Sequence, residues 1–390
     1  MPGDTMRVAI LTQPLGHNYG GLLQAFALQK HLRDQGHTVE TLDRRAPAQP
    51  VQAARDYGIN VAKFLLGRIG TIPTRQRHAM MFQALESFRD RHISLSERIA
   101  SEQGIRDYYR QHPFDAFIVG SDQVWRPRYS PSLTNYFLDF LDDINRPARR
   151  LSYAASFGVD HWEFTPEATA RCRDLLRRFD VVSVREQSGV DLCKQHLGRT
   201  AQCIPDPTFL LERKDYEAVI DGKPAPGNQG KVLTYVLDGQ AAKQQIVHRV
   251  VDGLGKNHFT VKPQKSLMEV TKASFDECCY PGVDAWLQGF RDASFVVTDS
   301  FHGTVFSILF NKPFISVGNR TRGLSRFQSL LSQFGLQDRL VEHADDITTE
   351  RLQAEIDWSR VNVLRRQQQD LGRQFLDDNL ISDPLQRATP

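Results

Sequence analysis

The chain has 390 residues, more than twice the length of a typical domain, and this length predicts two domains. Its 49 Lys and Arg residues against 46 Asp and Glu residues leave a net charge of +3, which argues against a nucleic-acid-binding protein. No apolar run approaches the ~20 residues of a membrane-spanning helix, and we expect no signal peptide because the first residues lead into a strand. The five cysteines are odd in number and lack metal-ligand spacing, which indicates a reduced, cytosolic protein without a metal site.

The chain begins with a strand, a glycine-containing loop and a helix, the order expected of a Rossmann-like domain. Residues 7–12 form an apolar run typical of a buried strand, and the loop that follows contains His17-Asn18-Tyr19-Gly20-Gly21. The loop is expected at the carboxyl edge of the sheet, where open α/β proteins bind ligands, although a plain strand-to-helix turn explains the residues equally well. It lacks the GxGxxG pattern, so no dinucleotide is implied.

Residues 50–110 are predicted to be helical and irregular, and they belong to a basic part of the chain. From Arg44 to Arg110 there are 12 Lys and Arg residues against 6 Asp and Glu residues. Such a segment can lie against an anionic partner or a membrane surface, but a solvated helical face is the interpretation that the composition favours.

A second predicted strand end carries the segment Gly120-Ser121-Asp122-Gln123-Val124-Trp125. Ser121 or Asp122 could cap a helix, but Asp122 could instead accept a proton from a sugar hydroxyl or orient His17. Trp125 could offer its ring to a sugar, although a tryptophan in the core is more common. The grouping of these side chains beside a strand end favours a site.

Arg185 follows an apolar strand predicted at residues 181–184. Its guanidinium can bind a carboxylate or a phosphate through two parallel hydrogen bonds, and the alternative is a salt bridge to Glu186 or Asp180. We favour anion binding because the other strand-end motifs are expected to face the same cleft.

A linker-like segment at residues 222–230 precedes a second α/β pattern. In this pattern a strand at residues 295–297 runs into Thr298-Asp299-Ser300-Phe301-His302-Gly303. His302 is expected at the N-terminus of a helix, where free N–H groups and the helix dipole suit an anion. A histidine there can exchange a proton near neutral pH, and the alternative is a cap without chemistry. The polar neighbours of His302 favour a functional role.

The loop after the next predicted strand, at residues 314–317, contains Arg320, Arg322 and Arg326. Three arginines in a loop are often only solvated, but here they could hold a phosphate and a carboxylate. Arg326 is the strongest candidate because apolar neighbours should anchor it to the fold.

These patterns predict Rossmann-like domains at residues 1–215 and 230–345, with a cleft between them. Residues 346–390 are predicted to contain a long polar amphipathic helix that packs back on the N-terminal domain. Val363 and Leu371 are among the candidate buried residues of this helix.

Four segments together resemble the polysaccharide pyruvyl transferases, which transfer the enolpyruvyl group of phosphoenolpyruvate to a sugar. They are HNYGGLLQAFALQKHL from His17, VGSDQVW from Val119, VVSVREQSGVDL from Val181 and TDSFHGTVFSILFNKPFI from Thr298. A further match is GNRTRGLSRFQSLLSQFGL from Gly318, so the resemblance extends over most of the chain. Each segment is moderately specific, but their order and joint occurrence indicate the family. The resemblance implies an α/β fold of two Rossmann-like domains facing a central cleft, similar to the GT-B glycosyltransferases.

The resemblance also implies a function, that of a cytoplasmic transferase in exopolysaccharide biosynthesis for the bacterial cell envelope. The reaction would form a pyruvate ketal on a sugar of a surface polysaccharide or of its precursor. Phosphoenolpyruvate is then a co-substrate, and no cofactor, metal or nucleic acid takes part. The acceptor is a sugar or a lipid-linked oligosaccharide, and contact with the inner face of the membrane is at most peripheral.

Within this scheme His302 is the expected acid, and Asp122 the base on the acceptor hydroxyl. The donor side is expected in the C-terminal domain and at Arg185, and the acceptor side in the two N-terminal loops. The donor-binding set is Arg185, Ser300, Gly303, Arg320, Arg322 and Arg326. The acceptor-binding set is His17, Asn18, Tyr19, Gly20, Ser121, Gln123 and Trp125.

The sequence departs from the family pattern immediately before His302. Better-studied members carry an Arg and a Leu there, where this chain has Ser300 and Phe301. Either one of the arginines of the 318–326 loop replaces the missing arginine, or the donor is different. The alternative functions are a nucleotide-sugar-dependent GT-B glycosyltransferase and a catalytically inactive glycan-binding relative.

Overall fold

The computed structural model describes residues 5–142, 146–220, 227–318 and 323–380. Within these ranges the chain forms two five-stranded parallel sheets, one in each half, and a two-stranded parallel pair. None of the helices in the same ranges combines the length and the hydropathy that a bilayer span requires.

The first sheet is a doubly wound Rossmann sheet. Its strands are β1 (Arg7–Leu11), β2 (Thr38–Arg44), β3 (Leu95–Ile99), β4 (Ala116–Val119) and β5 (Arg149–Ser152). Their order is β3-β2-β1-β4-β5, so the direction of winding reverses between β1 and β4. The loops after these two strands therefore flank the crevice at which such sheets bind ligands. Next to β5 lies the parallel pair β6 (Ser183–Val184) and β7 (Gln202–Cys203).

Helices cover both faces of the first sheet. The helices of this half of the chain are α1 (Tyr19–Asp34), α2 (Pro50–Leu65), α3 (Arg75–His92), α4 (Glu102–Gln111), α5 (Pro166–Leu176), α6 (Gln187–Leu192) and α7 (Arg213–Glu217). Alternate residues of β1 point to opposite faces. Val8 therefore packs in one apolar cluster with Leu28 of α1, while Ala9 packs in another with Ile105 of α4.

The second sheet repeats this arrangement. Its strands are β8 (Val232–Tyr235), β9 (His258–Phe259), β10 (Phe295–Thr298), β11 (Phe314–Val317) and β12 (Leu340–Val341). Their order is β12-β11-β10-β8-β9, which places the reversal between β8 and β10. The accompanying helices are α8 (Ala241–Leu254), α9 (Val283–Asp292), α10 (Phe301–Leu309), α11 (Leu324–Phe334), α12 (Thr349–Gln353) and α13 (Trp358–Asn379).

The two halves share an apolar core between their sheets. One buried cluster contains Leu22 and Phe26 of α1 together with Trp286 of α9 and Phe306 of α10. Tyr19 stacks on Trp286 with ring centroids 5.4 Å apart. The N-terminus of α1 and the N-terminus of α10 are thereby brought face to face.

The C-terminal segment crosses back to the first domain. Gln369 of α13 donates a hydrogen bond to the Leu210 carbonyl, 3.2 Å away, and the Phe375 ring meets the Tyr153 ring edge-on. The predicted single helix is divided into α12 and α13, and Val363 and Leu371 are exposed by 45% and 40% rather than buried. They lie on the solvent side of a helix whose buried face includes Phe375.

The prediction of a helical and irregular segment at residues 50–110 missed strand β3. The sequence of this strand, LSERI, alternates poorly between apolar and polar residues. It pairs at the edge of the sheet, where only one neighbouring strand, β2, is available. The rest of the segment is helical, in α2, α3 and α4.

Candidate active site

His302 lies at the N-terminus of α10, at the carboxyl end of β10. Ser300 caps the helix, because its Oγ atom accepts a hydrogen bond from the Gly303 N–H, 3.2 Å away. The imidazole crosses the domain boundary, and its Nε2 atom lies 3.4 Å from Oδ2 of Asp206. Its other edge, at Nδ1, lies against Gly20 of α1, where a Cβ atom would overlap the ring. The residue is only 7% exposed, so both domains enclose it.

Asp206 is a fully buried carboxylate with both oxygens engaged. Its Oδ1 atom accepts hydrogen bonds from the N–H and the hydroxyl of Thr208, at 3.1 and 2.8 Å. Its Oδ2 atom faces His302 and also accepts a hydrogen bond from Nη1 of Arg185, 2.9 Å away. Thr208 therefore holds the carboxylate in the orientation in which it pairs with a histidine and an arginine together.

Arg185, at the end of β6, is the centre of a buried ionic cluster. Besides Asp206 it faces Asp122, with Nη2 3.6 Å from Oδ1, and Glu186, with Nε 3.8 Å from Oε2. Its Cζ atom also lies 4.2 Å from the centre of the Phe301 ring, in a cation–π contact. The salt bridge to Glu186 that the sequence left open is thus present, alongside two others.

The pKa values follow from this arrangement. Burial alone would raise the pKa of Asp206, but His302 and Arg185 outweigh it and hold that pKa well below its usual range. Burial would lower the pKa of Arg185, but the carboxylates of Asp206, Asp122 and Glu186 raise it above its ordinary value. The charged forms of both residues are therefore stabilised in the folded protein.

Arg326 approaches the same cluster from the second domain. It lies in the first turn of α11, its Nε atom is buried, and the residue as a whole keeps part of its surface exposed. Burial and the nearby Arg185 lower the pKa of Arg326 to about 10, while Glu186 and Asp122 act in the opposite direction. Two guanidiniums from different domains thus converge, and an anion between them would relieve their repulsion.

Asp122 adopts an unusual backbone conformation. Its φ of 70° lies in the left-handed region, where a residue other than glycine is strained. The residue is 8% exposed, and its backbone carbonyl accepts a hydrogen bond from the Ser156 N–H, 3.0 Å away. This geometry turns the side chain toward Arg185. The structure therefore brings together four predicted site residues, namely Asp122, Arg185, His302 and Arg326.

The residues of the predicted acceptor loop after β1 lie in two different places. Gly20 lies against His302, and Tyr19 packs in the domain interface, where its hydroxyl donates to the Pro281 carbonyl, 2.7 Å away. Asn18 is exposed and caps α1 by accepting from the Gly20 N–H, 3.0 Å away. His17 instead stacks on Phe82 and lines a separate cavity of about 760 Å³.

Two residues predicted to bind the acceptor after β4 belong to the core. Trp125 has no exposed surface, and its Nε1–H donates to the Tyr136 carbonyl, 2.9 Å away. Its ring therefore has no free face for a sugar, which corrects the prediction. Ser121 is equally buried and donates from its hydroxyl to the Ala154 carbonyl, 2.7 Å away. Gln123 is partly exposed, with its Oε1 atom 3.4 Å from Nη1 of Arg126.

On the donor side, Ser300 and Gly303 shape the start of α10. A Cβ atom at position 303 would overlap the Thr298 side chain, so the tight turn into the helix requires glycine there. Asp299 ties the end of β8 to this turn, since it accepts from the Leu237 N–H at 2.6 Å and from Lys243 Nζ at 2.5 Å. The predicted Arg320 and Arg322 lie outside the described residues.

Two further members of the cluster were missed by the sequence analysis, namely Asp206 and Phe301 as the partner of Arg185, whereas Glu186 was one of the two salt-bridge partners that it considered. Asp206 stands between two prolines shortly after β7, which is only two residues long. A polar residue after a strand is the same pattern that indicated Asp122 and Arg185. The shortness of β7 concealed it.

The arrangement supports proton transfer and anion binding. A carboxylate that lies 3.4 Å from one imidazole nitrogen can orient the ring for acid–base chemistry. Guanidiniums beside it can hold carboxylate or phosphate groups. Within the described ranges, no group of three or more His, Cys, Asp and Glu side chains is placed to hold a metal ion.

The model of the polysaccharide pyruvyl transferase family matches residues 18–321. The chain belongs to this family. The match covers most of both sheets, from α1 to β11, and includes Asp122, Arg185, Asp206 and His302. It therefore indicates a transferase of polysaccharide biosynthesis with a sugar or polysaccharide acceptor. A comparison with curated proteins finds no match.

Similar solved structures include an epimerase and two glycosyltransferases. A UDP-N-acetylglucosamine 2-epimerase is 10% identical, with a TM-score of 0.53 and 99% of each chain covered. The glycotransferase of kitacinnamycin is 13% identical, with a TM-score of 0.48, 97% of this chain and 100% of that chain covered. The calicheamicin glycosyltransferase CalG4 is 13% identical, with a TM-score of 0.45 and coverages of 99% and 100%. With the two parallel sheets, the epimerase match shows the GT-B-like fold of two Rossmann-like domains.

Proposed function

We propose that the protein transfers the enolpyruvyl group of phosphoenolpyruvate to a sugar of a surface polysaccharide or its precursor, and that a pyruvate ketal forms. The observation that supports this most is the convergence of His302, Arg185 and Arg326 from the two domains. It offers one proton donor and two guanidiniums to a donor that carries a carboxylate and a phosphate. The family match supports the same reaction class.

The reaction would use two hydroxyls of the acceptor. A proton is added to the methylene carbon of the donor, and one hydroxyl oxygen bonds to the neighbouring carbon. The bond from that carbon to the phosphate oxygen breaks, and the second hydroxyl closes the ketal. The two hydroxyls release two protons in total. In the overall balance, one compensates for the proton added to the methylene carbon, which becomes a methyl group, and the other leaves with the phosphate.

Each chemical role falls to a residue of the cluster. His302 donates the proton to the methylene carbon, and Asp206 is its positioning residue because it fixes the Nε2 edge of the ring. Asp122 accepts the proton of the attacking hydroxyl. Arg185 and Arg326 hold the donor's negative charges, so that Arg326 takes over the task of the arginine that Ser300 replaces.

Access to His302 requires a change in the domain interface. Asp206 faces the Nε2 edge, so the donor is expected at the Nδ1 edge, which lies against Gly20 in the described conformation. We infer that the N-termini of α1 and α10 move apart to admit the donor and close again during the reaction. Such closure would exclude water from the reacting carbon.

The acceptor is expected on the side of the first domain. We retain three polar residues of its loops as acceptor-binding residues, namely His17 and Asn18, which are exposed, and Gln123, which is partly exposed. The reaction would take place in the cytoplasm, with peripheral contact at the inner face of the membrane when the acceptor is lipid-linked.

The test is incubation with phosphoenolpyruvate and a panel of galactosides, mannosides and N-acetylhexosamines. We expect phosphate release that depends on the acceptor, together with a product heavier than the acceptor by one pyruvate less one water. The His302→Ala variant serves as the inactive control. Absence of release with every acceptor, combined with thermal stabilisation by a nucleoside diphosphate and none by phosphoenolpyruvate, would support the glycosyltransferase alternative.

A further inference from the structure

Helix α2 has an unusual distribution of apolar side chains. Every residue of this helix is at least partly exposed. Val51 is 83% exposed, Leu65 is 78% exposed and Leu66, which follows the last turn, is 68% exposed. Ordinary surface helices bury their apolar residues against the domain, so this helix presents its apolar residues to something other than the domain.

These apolar residues share one side of the helix. At 3.6 residues per turn, Val51, Ile59, Leu65 and Leu66 fall within a sector of roughly 120°. Arg55 points into the same sector, and Lys63 lies just outside it. An apolar stripe of this width with basic residues on and beside it is the pattern of a helix that lies in a membrane interface.

The charge of the surrounding segment is strongly one-sided. Between Arg45 and Arg77, the sequence contains six Lys and Arg residues against one acidic residue, Asp56. The basic residues are Arg45, Arg55, Lys63, Arg68, Arg75 and Arg77. The chain as a whole has a net charge of only +3, so this surface is a local concentration of positive charge. The positive charge of this segment is complementary to that of an anionic surface.

The opposite side of α2 borders the cavity of about 760 Å³ rather than a packed core. Tyr57 of α2, Arg75 of α3, Arg45 and His17 all line this cavity. Partial burial lowers the pKa of His17, and the neighbouring His78, Arg45 and Arg89 lower it further. The cavity lies between α2 and the loop that leads to Gly20, and its charged lining comprises Arg45 and Arg75 together with Asp56 and Glu86.

We propose that the exposed face of α2 docks on an anionic lipid bilayer. The apolar stripe would enter the boundary between headgroups and acyl chains, and the basic residues would contact lipid phosphates. Docking in this way places the cavity beside the headgroups. If the proposed function holds, the phosphate of a lipid-linked acceptor could then enter the cavity at His17, and this last step alone rests on the proposed function.

A second copy of the chain is a less suitable occupant of this face. In a two-fold symmetric dimer the same surface of each copy meets its counterpart. The basic residues of one copy would then face those of the other, which opposes association. An anionic bilayer has the complementary charge.

The experiment is cosedimentation of the full chain with vesicles of phosphatidylcholine alone and with vesicles that also contain phosphatidylglycerol. We expect binding only to the anionic vesicles, weakened by salt. Leu65→Ser with Leu66→Ser should lower the partition coefficient about ten- to hundred-fold, because two apolar side chains no longer enter the interface. The matched control is Val363→Ser with Leu371→Ser on α13, which are also exposed and should leave binding unchanged.

The charge contribution is tested by reversing Arg55, Lys63 and Arg68 to Glu, which should reduce binding to anionic vesicles about a hundred-fold. The control reverses the exposed Arg110, Arg177 and Arg249, which changes the net charge equally elsewhere. An equal loss of vesicle binding in both triple variants would overturn the proposal. A dimer that forms without lipid and dissociates in the α2 variants would also overturn it. Turnover of a water-soluble acceptor should be retained by the α2 variants, so failure of docking and failure of the proposed reaction are distinguishable.

Discussion

The cluster around Arg185 and the exposed face of α2 are opposite in character. In the cluster, charged groups are buried: Arg185, Glu186 and Asp206 each have 4% or less of their surface exposed. In α2, large apolar groups are exposed, with Val51 and Leu65 at 83% and 78%. Each arrangement reverses the usual distribution, in which charged residues remain in water and apolar residues are buried.

The two regions differ in whether their side chains find partners within the folded chain. The buried charges are largely balanced by one another, through contacts of 2.9 to 3.8 Å around one guanidinium. Folding therefore depends on this region, and removal of one member leaves another charge buried without its partner. The apolar face of α2 contributes little to folding, because it contacts solvent in the folded chain as it does in the unfolded chain. Substitutions should therefore separate the two regions, with large effects on stability only in the first.

The largest effect on stability is expected from Asp206→Ala. It leaves Arg185 without its shortest ion pair, and breaking a buried pair by removing one partner costs roughly 3–5 kcal/mol. The measurement is the free energy of unfolding from urea titrations. Asp345→Ala is the matched control, because Asp345 also pairs with an arginine, Arg249, but its side chain is 93% exposed. The control should be nearly neutral, and equal losses in both variants would refute the distinction between the regions.

The largest effect on catalysis is expected from His302→Ala. The proposed proton donor is lost, and turnover should fall by about 10²–10⁴-fold, the usual contribution of a positioned acid. Since His302 also contacts Asp206, some loss of stability should accompany it, so the assay must be run where circular dichroism shows a folded protein. Activity within about tenfold of the wild type would exclude His302 as the acid.

A smaller, more selective effect is expected from Arg326→Ala. The variant loses a charge-assisted contact with the donor, which corresponds to about 1.5–3 kcal/mol, or roughly ten- to hundred-fold in affinity. The Michaelis constant for phosphoenolpyruvate should rise, while that for the acceptor should change little. Arg291→Ala, at the partly exposed Arg291–Asp292 pair, is the control. A rise in the Michaelis constant for the acceptor alone would show that Arg326 binds the acceptor instead of the donor.

The pH dependence of stability should show a gradual effect of Asp206. Its pKa is lower in the folded than in the unfolded state, so the unfolded state binds the proton first as the pH falls below about 4. The stabilisation by Asp206 is complete at neutral pH and is lost toward the low pKa of the folded state. The difference in unfolding free energy between wild type and Asp206→Asn should therefore shrink on acidification. If the unfolding free energies of the two proteins differ by the same amount at every pH from 6 to 3, the low pKa of Asp206 in the folded state is contradicted.

The smallest effect on folding is expected from Leu65→Ser with Leu66→Ser. Surface substitutions without packing or hydrogen-bonding partners usually change stability by less than about 0.5 kcal/mol. A urea titration that shows a loss of several kcal/mol would mean that α2 is a packed helix, and the docking proposal would lose its basis.

The strand-end motifs were predictable because an apolar run followed by a polar segment marks the carboxyl edge of a sheet. This pattern was sufficient to predict Asp122, Arg185 and His302 as site candidates, and the structure brings them together. Asp206 was not found, because the strand before it is two residues long and gives little periodic pattern. The contacts of Arg185 with Asp122 and Asp206 could not be predicted either, since they join residues from separate segments that only the tertiary fold brings close. The contact with its sequence neighbour Glu186 was one of the alternatives considered.

Burial was the property that the sequence predicted least well. Trp125 was an ambiguous residue that proved to be in the core, and Val363 and Leu371 proved to be exposed. The composition of α2 was consistent with a solvated basic helix, and only the exposure of Val51 and Leu65 in the folded chain revealed an apolar face. Periodicity indicates which residues share a side of a helix, but it does not indicate what that side contacts.

The central claim is that the cluster of His302, Arg185 and Arg326 binds phosphoenolpyruvate, and titration calorimetry tests it without knowledge of the acceptor. We predict that the wild type binds phosphoenolpyruvate, that Arg326→Ala and Arg185→Lys bind it at least tenfold more weakly, and that Leu371→Ser binds it normally. Binding of a nucleoside diphosphate but not of phosphoenolpyruvate, or equal affinity for phosphoenolpyruvate in all four proteins, would contradict the claim.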